Sequence, residues 1–464
     1  MEKFFKVKEH GSNVRTEVLA GITTFMAMSY ILFVNANMFA QLGTVSYNAI
    51  YIATALSAVI GTFLIAFIAN LPLGLASGMG LNAFFVYTVC FTFGLTYANA
   101  LILVLLDGIV FTTLTVTGIR AKLFAAIPDC VRKVIPAGIG LFIAFLGLQN
   151  AGIVVNSSST CVTLASFNLL SGAVTWGDIM PKLVTIAAII VIAVLSYKKV
   201  RGSVFWGILS GTILYYVLGA TVPGFYTGFA ENLSFNPLTA FGEWGSQAFL
   251  KVFTEGFNFD AYLVTHTHAE LILVIATSAL AFCMVDMFDT LGTLYGACSR
   301  GGMLVNGEVP NFEKAMLSDA LATCAGAVCG TSTVTTFVES SAGVGEGGRT
   351  GLSAFTTGVL FFIAMFLSPV AALIPSCATA SALVYVGVLM MGCVTDIDWK
   401  DVSIAVPAFL TIAFMAFTYN ISYGIAFGLI SHVFIQIFTG KAKEVKAFTW
   451  VIAVLFALMF FLTH

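Results

Sequence analysis

The sequence predicts an all-α polytopic membrane protein, and three observations lead to that fold class. The chain of 464 residues is 59% hydrophobic and only 9% charged, with a mean hydropathy of +1.00, whereas charged residues make up about 25% of an average soluble domain. Many apolar runs reach the length of about 20 residues that a membrane-crossing helix needs. Lys and Arg cluster between these runs, as they do on the cytoplasmic side of membrane proteins.

Long apolar runs and two short interrupted segments together predict about 14 membrane segments. The long runs lie near residues 17–38, 48–70, 95–117, 132–150, 182–197, 203–220, 270–292, 313–329, 353–373, 378–395, 403–418 and 421–439, and the short segments are 71–85 and 329–352. For a further apolar run, 447–462, a crossing, a hairpin and an interfacial helix all stay open.

The positive charges predict the orientation of the chain. If the N-terminus is cytoplasmic, every second segment ends inside, and a basic residue follows each of these ends. The residues concerned are Arg120 and Lys122, then Lys198, Lys199 and Arg201, then Arg300, Arg349, Lys400, and finally Lys441 and Lys443. The polar stretch 221–269 contains only Lys251 as a Lys or Arg residue, so it is predicted to be external.

Two pairs of similar segments predict an inverted repeat. IPDCVRKVIPAGIGLFIAFLGL, from Ile127, is similar to IPSCATASALVYVGVLMMGCV, from Ile374, and SVFWGILSG, from Ser203, is similar to YGIAFGLIS, from Tyr423. The copies lie about seven segments apart, and an odd number of crossings reverses the orientation of the second copy. The sequence therefore predicts two inverted halves of about seven segments each.

Each short segment is predicted to combine a strand with a half-helix. In 329–352, CGTSTVTTFVESSAGVGEGGRTGL, the β-branched run TSTVTT favours a strand, and SSAG after Glu339 favours a short helix. LGLASGMG followed by LNAFFVYTV repeats this design, with a half-helix opening near Asn82. Broken helices with positive N-terminal ends typify transporter binding sites, so Asn82 and Glu339 are predicted to form a polar pocket. A helix-capping role for Asn82 and a structural role for Glu339 are the alternatives.

A further candidate element is the helix before Arg300, AFCMVDMFDTLGTLYG. Asp286, Asp289 and Thr293 stand at positions i, i+3 and i+7, which share one helix face. Acids that face lipid are very costly, so this face is predicted to line a cavity. Alternatively, the acids lie near the cytoplasmic end and are solvated, which applies most to Asp289 because it is closer to Arg300.

The remaining motifs predict no chemistry. The nine cysteines are scattered without metal-binding or redox spacing. GVGEGGRTG contains a G-x-G-x-x-G-like pattern, but it is not part of a βαβ unit, so a tight turn is predicted. His266 and His268 lack the further ligands of a zinc site. No enzyme activity, cofactor, metal or nucleic-acid partner is therefore expected.

Four segments carry a resemblance to a known family. EVLAGITTFMAMSYILFVN from Glu17, LASGMGLNAFF from Leu75, DMFDTLGTLYG from Asp286 and GTSTVTTFVESSAGVGEGGRTGL from Gly330 resemble the signature segments of AzgA-like purine permeases. These permeases are hypoxanthine/guanine/adenine:proton symporters of the nucleobase/ascorbate transporter superfamily. Two departures are the missing proline in VNANMF and the presence of Glu346 in the glycine-rich turn.

The resemblance implies the uracil-permease fold, in which helices 1–4 and 8–11 form a core domain and helices 5–7 and 12–14 form a gate domain. The implied boundaries are 1–14 for a cytoplasmic tail, 15–119 and 270–374 for the two halves of the core, 120–220 and 375–464 for the two halves of the gate with the C-terminal tail, and 221–269 for an extracellular loop.

The resemblance also implies a substrate site in which Asp286 and Glu339 hold a purine. The resemblance places Asn82, Gly80 and Asp289 close by. Separately, Phe84 or Phe337 is expected to cover the face of the base. Glu339 and Asp286 are also the expected proton-coupling residues, because a buried carboxyl group can exchange a proton in the physiological range.

The expected function is import of a purine nucleobase by proton symport with alternating access, in the plasma membrane. The expected partners are the purine, protons and the lipid bilayer, and the resemblance alone adds a homodimer. Transport of uracil, xanthine or an anion on the same fold is the alternative, followed by a channel. Two carboxylates without a basic residue disfavour an anion, and scattered acids in broken repeats disfavour a ring-lined pore.

Overall fold

The computed structural model describes residues 2–117, 127–171, 174–222, 225, 237–305 and 308–463, which are mostly helical. The predicted cytoplasmic residues Arg120 and Lys122, and part of the predicted extracellular loop, lie outside the described residues. In the first half of the chain the helices are α1 Val14–Ala40, α2 Tyr47–Ala69, α3 Met79–Thr92, α4 Tyr97–Thr117, α5 Asp129–Asn150, α6 Trp176–Tyr197 and α7 Ser203–Thr221.

In the second half the helices are α8 His268–Arg300, α9 Phe312–Cys329, α10 Ser340–Gly345, α11 Gly351–Ala371, α12 Ser376–Asp396, α13 Val402–Phe417, α14 Ile421–Phe438 and α15 Ala447–Thr463. Within the described residues between α7 and α8, three short helices span Pro237–Gln247, Lys251–Thr254 and Asp260–Leu263.

Ten of the described helices are long and apolar enough to cross a membrane by length and composition. The other segments among α1–α14 are α3, α9, α10 and α13, which are shorter or less apolar. Helices α3 and α10 are the two half-helices that the sequence predicted. The prediction of a polytopic α-helical membrane protein with about 14 segments is therefore confirmed.

Two short strands from opposite halves of the chain pair with each other. Strand β1, Leu75–Ser77, precedes α3, and β4, Val334–Thr336, precedes α10; they are antiparallel and buried. A separate hairpin of β2, Val154–Ser157, and β3, Cys161–Leu164, lies between α5 and α6, and the sequence analysis did not predict it. The β1–β4 pair joins the two halves at the point where both helices are broken.

Helix packing is densest within the two sets named core and gate. In the core set, α4 packs against α8 and α9, and α1 packs against α11. In the gate set, α5 packs against α12 and α13, and α6 packs against α7. In the most apolar stretch of α6, 33% of the residues are buried inside the protein, and in that of α7 28% are buried. The corresponding share is 67% for both α1 and α2. Helices α6 and α7 therefore lie at the periphery, where apolar side chains contact lipid. Movement of one set against the other stays a prediction.

The C-terminal apolar run forms the helix α15, which packs against α8 and α14. One continuous helix excludes the hairpin that the sequence left possible for this run, and a crossing and an interfacial helix both stay open. Side chains such as Val451 and Phe461 remain exposed on its outer face, as expected for a helix with one side in lipid.

Candidate functional site

Each half of the chain contributes a strand that leads directly into a half-helix. Strand β1 ends at Ser77 and α3 begins at Met79, slightly before the predicted opening at Asn82. Strand β4 ends at Thr336 and α10 begins at Ser340. The first N–H groups of a helix have no partner within that helix and form its positive end. Pairing of the two strands therefore brings two positive helix ends into one region.

Glu339 is the residue that immediately precedes α10, and it is half-buried. Its Oε1 accepts a hydrogen bond of 2.6 Å from the hydroxyl group of Tyr30. Tyr30 is 1% exposed and lies where α1 is interrupted between Met28 and Ile31. The sequence analysis missed Tyr30, because an aromatic residue in an apolar helix is ordinarily a packing residue.

Asp289 is the second acid of this region. Its carboxyl group is within electrostatic range of Glu339 and Tyr30. Its Oδ2 atom lies 3.9 Å from the point where a Cβ atom on Gly78 would stand. Gly78 immediately precedes α3, so Asp289 lies beside the start of α3 and Glu339 stands at the start of α10. Asp289 is thus half-buried, and it is not the solvated residue that the sequence analysis considered as an alternative.

Asp286 has different neighbours from Asp289, although both lie on α8. It is fully buried, and its Oδ2 accepts a hydrogen bond of 3.3 Å from the Thr323 hydroxyl on α9. Asp107 on α4 is within electrostatic range of it. The two acids on the predicted shared face of α8 thus contact different residues. The substrate-binding role of Asp286 stays a prediction.

Asn82 fixes the turn between β1 and α3. Its Oδ1 accepts a hydrogen bond of 2.5 Å from the Ser77 hydroxyl, and its Nδ2 donates to the Ser77 carbonyl at 3.3 Å. The Ser77 hydroxyl also lies 3.1 Å from Thr331 Oγ1, which accepts a hydrogen bond of 3.0 Å from Asn35 Nδ2 on α1. Asn82 therefore belongs to a buried polar chain that links α3 with α1 and with the segment before β4.

Gly80 lies in the first turn of α3 and packs against α5. A Cβ atom on Gly80 would stand 2.5 Å from Cγ2 of Ile139, which is closer than non-bonded carbon atoms approach. The absence of a side chain thus allows α3 to approach α5, a helix of the predicted gate. The candidate site consequently lies next to the predicted boundary between core and gate.

The two candidate aromatic residues flank the broken helices. Phe84 is fully buried on α3, and its ring packs edge-on against Phe282 of α8 with 4.9 Å between the centroids. Phe337 is 5% exposed, and its backbone N–H donates to the Gly74 carbonyl at 3.0 Å, next to the strand pair. Both rings lie in the elements that form the site, and their contact with a base stays a prediction.

Further buried acids were missed by the sequence analysis. Glu17 on α1 accepts hydrogen bonds from the backbone N–H groups of Arg349 at 2.9 Å and Thr350 at 3.3 Å, and so caps the start of α11. Asp107 on α4 and Asp319 on α9 are both 0% exposed. An acid inside an apolar run, such as the one in LVLLDGIVF, is itself a sign of a functional position in a membrane protein.

Polar contacts join the predicted core and the predicted gate at two ends of the molecule. At the predicted cytoplasmic end, Arg201 between α6 and α7 donates from Nε to Glu346 Oε1 at 2.7 Å, and a second guanidinium N–H also bonds this carboxylate. At the predicted external end, Asn37 of α1 donates to Thr379 of α12 at 3.4 Å. Glu346, which departs from the family pattern, thus has a partner across the boundary.

The chemistry of the candidate site is that of hydrogen bonding. Within the described residues, no group of three His, Cys, Asp or Glu side chains is arranged to hold a metal ion. His266 stacks on the ring of Tyr262, with 4.2 Å between the centroids. Glu339 and Asp289 supply acceptors, and the start of α3 supplies backbone donors. At the start of α10 the N–H groups of Ser340 and Ser341 already donate to the carbonyls of Phe337 and Val338, at 3.0 Å each.

Fold and site together define a class of protein, the membrane transporters whose two halves meet at a pair of broken helices. The family model described as "Permease family", that of the xanthine/uracil permeases, matches residues 15–427. The chain belongs to this family, and it is a transporter rather than an enzyme.

Individual relatives cover almost the entire chain. The guanine/hypoxanthine permease PbuO of Bacillus subtilis is 38% identical over 469 residues, which cover 99% of this chain and 100% of the relative. The adenine permease AdeP of Escherichia coli is 35% identical over 463 residues, which cover 99% and 95%. The resemblance to purine permeases that the four sequence segments carry is thereby confirmed.

A solved structure shares the fold at much lower identity. The transmembrane domain of the cyanobacterium bicarbonate transporter BicA aligns with a TM-score of 0.61 and 16% identity, over 89% of this chain and 97% of that chain. At this identity the similarity concerns the fold alone.

Proposed function

We propose that this protein imports purine nucleobases by proton symport with alternating access, in the plasma membrane and with its N-terminus in the cytoplasm. The observation that carries the proposal is the pair of acids, Glu339 and Asp289, at the starts of the two half-helices. The relatives named as guanine/hypoxanthine and adenine permeases favour a purine.

A neutral purine matches the hydrogen-bonding groups of this region. Ionised carboxylates only accept hydrogen bonds, so Glu339 and Asp289 select a ligand edge that carries N–H groups. The backbone N–H groups at the start of α3 would donate to a carbonyl oxygen or a ring nitrogen. The Tyr30 hydroxyl holds one oxygen of Glu339, which leaves the other for the ligand. Phe337 or Phe84 would cover the face of the base.

An anion is the less suitable substrate, although half-helix starts attract anions and the fold neighbour BicA is titled a bicarbonate transporter. The contacts described for Glu339 and Asp289 include no basic side chain. Two acids without a basic partner repel an anion at short range. The site therefore favours a neutral base over an anion.

Proton coupling is assigned in this proposal to Glu339 and Asp286. Binding of the base would favour one protonation state, and the core would then move against the gate. The Arg201–Glu346 and Asn37–Thr379 contacts join core and gate at two ends. Opening of either end would break the contact at that end while the other one persists.

Uptake of radiolabelled hypoxanthine, guanine, adenine and uracil into cells without their own permeases tests the proposal. Purine uptake should collapse when a protonophore is added, and Glu339→Gln should abolish uptake or uncouple it from protons. Glu313→Gln, which changes an exposed glutamate on α9, is the matched control and should behave as the wild type. Proton-driven accumulation in the Glu339→Gln variant would refute the role of Glu339, and absence of purine uptake in the wild type would refute the substrate.

A further inference from the structure

Three carboxyl groups from three different helices lie together inside the core. They belong to Asp107 on α4, Asp286 on α8 and Asp319 on α9, and all three residues are 0% exposed. Asp286 and Asp319 are the charged groups whose electrostatic influence reaches Asp107. Helix α4 packs against both α8 and α9, so the cluster lies where these three helices meet. We refer to the three residues as the acid cluster.

Two members of the acid cluster accept hydrogen bonds from fixed donors. Asp319 Oδ1 accepts from the backbone N–H of Thr336 at 3.1 Å, and its Oδ2 accepts from the Thr290 hydroxyl at 2.8 Å. Asp286 Oδ2 accepts from the Thr323 hydroxyl at 3.3 Å. Donors that point at carboxylate oxygens are the partners that an ionised acid requires.

Asp107 differs from the other two members. Neither of its carboxyl oxygens has a hydrogen-bond partner among the residues that the structure describes. The titratable groups that α8 and α9 bring close to it are Asp286, Asp319 and the thiol of Cys324. None of these groups is a cation, so they do not compensate a negative charge on Asp107.

The other elements packed against α4 do not supply a cation either. Helix α3 carries Tyr87 and Cys90 as its titratable residues. The short helix Lys251–Thr254 carries Lys251, but this side chain forms an ion pair with Glu255. Within the described part of the chain, no basic side chain is thus recorded as a partner of Asp107.

Electrostatics decides which ion neutralises the cluster. A buried carboxyl group without a partner neutralises by taking up a proton rather than remaining ionised, and neighbouring carboxylates do not all ionise together. A metal ion would need several ligands around one point, and the described residues contain no such group. The arrangement therefore suits a proton held by Asp107.

We propose that the acid cluster is the site of the co-transported proton, with Asp107 as the residue that carries it. This inference rests on the proposed function, since it names the proton site of that symport. An O–H bond forms on Asp107 while the protein is open to the outside, and it breaks when the proton leaves to the cytoplasm. Asp107 thereby joins Asp286, which the sequence already predicted to take part in proton coupling.

Hydrogen bonds connect the acid cluster with the candidate substrate site. Asp319 bonds the backbone of Thr336 on β4, and the Thr290 hydroxyl that bonds Asp319 also lies 2.6 Å from Thr335 Oγ1 on the same strand. Strand β4 leads to Glu339, and Thr290 is the chain neighbour of Asp289. A change of charge in the cluster therefore acts on the two elements that carry the acids of the substrate site.

The decisive variant is Asp107→Asn, because asparagine resembles the protonated acid in shape and is permanently neutral. Cells with this variant should still exchange external for internal purine, since exchange needs no net proton movement. They should lose accumulation, so that the inside-to-outside ratio falls to unity and a protonophore has no effect. Asp260→Asn, at the exposed first residue of the short helix Asp260–Leu263, is the control and should keep the wild-type ratio.

Infrared spectroscopy of the purified wild-type protein provides a second measurement that needs no transport. A protonated carboxyl group gives a carbonyl band that is separate from the carboxylate bands. This band should be present near neutral pH in the wild type, and Asp107→Asn should remove one component of it. Absence of the band in the wild type would overturn the proposal. Wild-type accumulation by Asp107→Asn would overturn it too, and so would loss of both exchange and accumulation with normal amounts in the membrane. Failure of the underlying symport is distinguishable, because wild-type uptake would then itself resist the protonophore.

Discussion

Replacement of Tyr30 by phenylalanine removes one oxygen atom and, with it, the hydrogen bond of 2.6 Å that Glu339 Oε1 accepts. Hydrogen bonds to charged groups contribute about 1.5–3 kcal/mol. Because Glu339 is only half-buried, water can replace part of the lost bond, and the lower end of this range applies. About 1.4 kcal/mol corresponds to a tenfold change, so we expect KM for purine uptake to rise about tenfold.

The assay is initial-rate uptake of radiolabelled purine over a range of concentrations, normalised to the amount of transporter in the membrane. The matched control is Tyr51→Phe. Tyr51 is also 1% exposed, but its hydroxyl donates to the backbone carbonyl of Ala364 at 2.9 Å. This control should lower the free energy of unfolding by about 0.5–1.5 kcal/mol and leave KM unchanged. A wild-type KM for Tyr30→Phe, or an equal rise for Tyr51→Phe, would refute the reasoning.

Two further predictions concern the boundary between core and gate. Gly80→Ala should lower the maximal uptake rate about tenfold or more, because the new Cβ would stand 2.5 Å from Ile139 Cγ2 and overpacking costs about 1–3 kcal/mol. Uptake should recover in the Gly80→Ala/Ile139→Ala double variant, and no recovery would contradict the steric explanation. Glu346→Gln should favour the state open to the cytoplasm by less than about fivefold, since exposed ion pairs contribute about 0.2–1 kcal/mol. The labelling rate of a single engineered cysteine measures this shift. A double variant in which the charges of Arg201 and Glu346 are exchanged should restore the wild-type labelling rate. The same labelling rate in all variants would argue against a role for the ion pair.

Local sequence pattern was sufficient for the elements that carry the site. The run TSTVTT is rich in β-branched residues, and VTT within it forms β4, while SSAG begins α10. These elements were predictable for two reasons. Their residues have a high strand propensity, and glycines and polar residues interrupt a part of the sequence where a membrane-crossing helix would be apolar throughout. The hairpin of β2 and β3 escaped prediction because its exposed strands carry no alternating apolar pattern.

Contacts between distant parts of the chain were beyond the reach of local pattern. Glu339 was predictable as an acid in a polar, glycine-rich stretch, but its partner Tyr30 lies 309 residues away. Asp286 and Asp289 have the same helical spacing that the sequence showed, yet their neighbours differ because α4 and α9 pack on one side of α8. Asp107 was within reach, since an acid in an apolar run is informative without any knowledge of packing.

The cap that Glu17 places on α11 has a consequence for the synthesis of the protein. The carboxylate of the first helix finds its donors, the N–H groups of Arg349 and Thr350, more than 330 residues later, at a separation of 332 for the first of them. At about 5–20 residues per second, translation of this interval takes roughly 20–70 s. For most of that time the nascent first half also carries β1 without its partner strand. Final assembly of this core must therefore wait until the second half has entered the membrane.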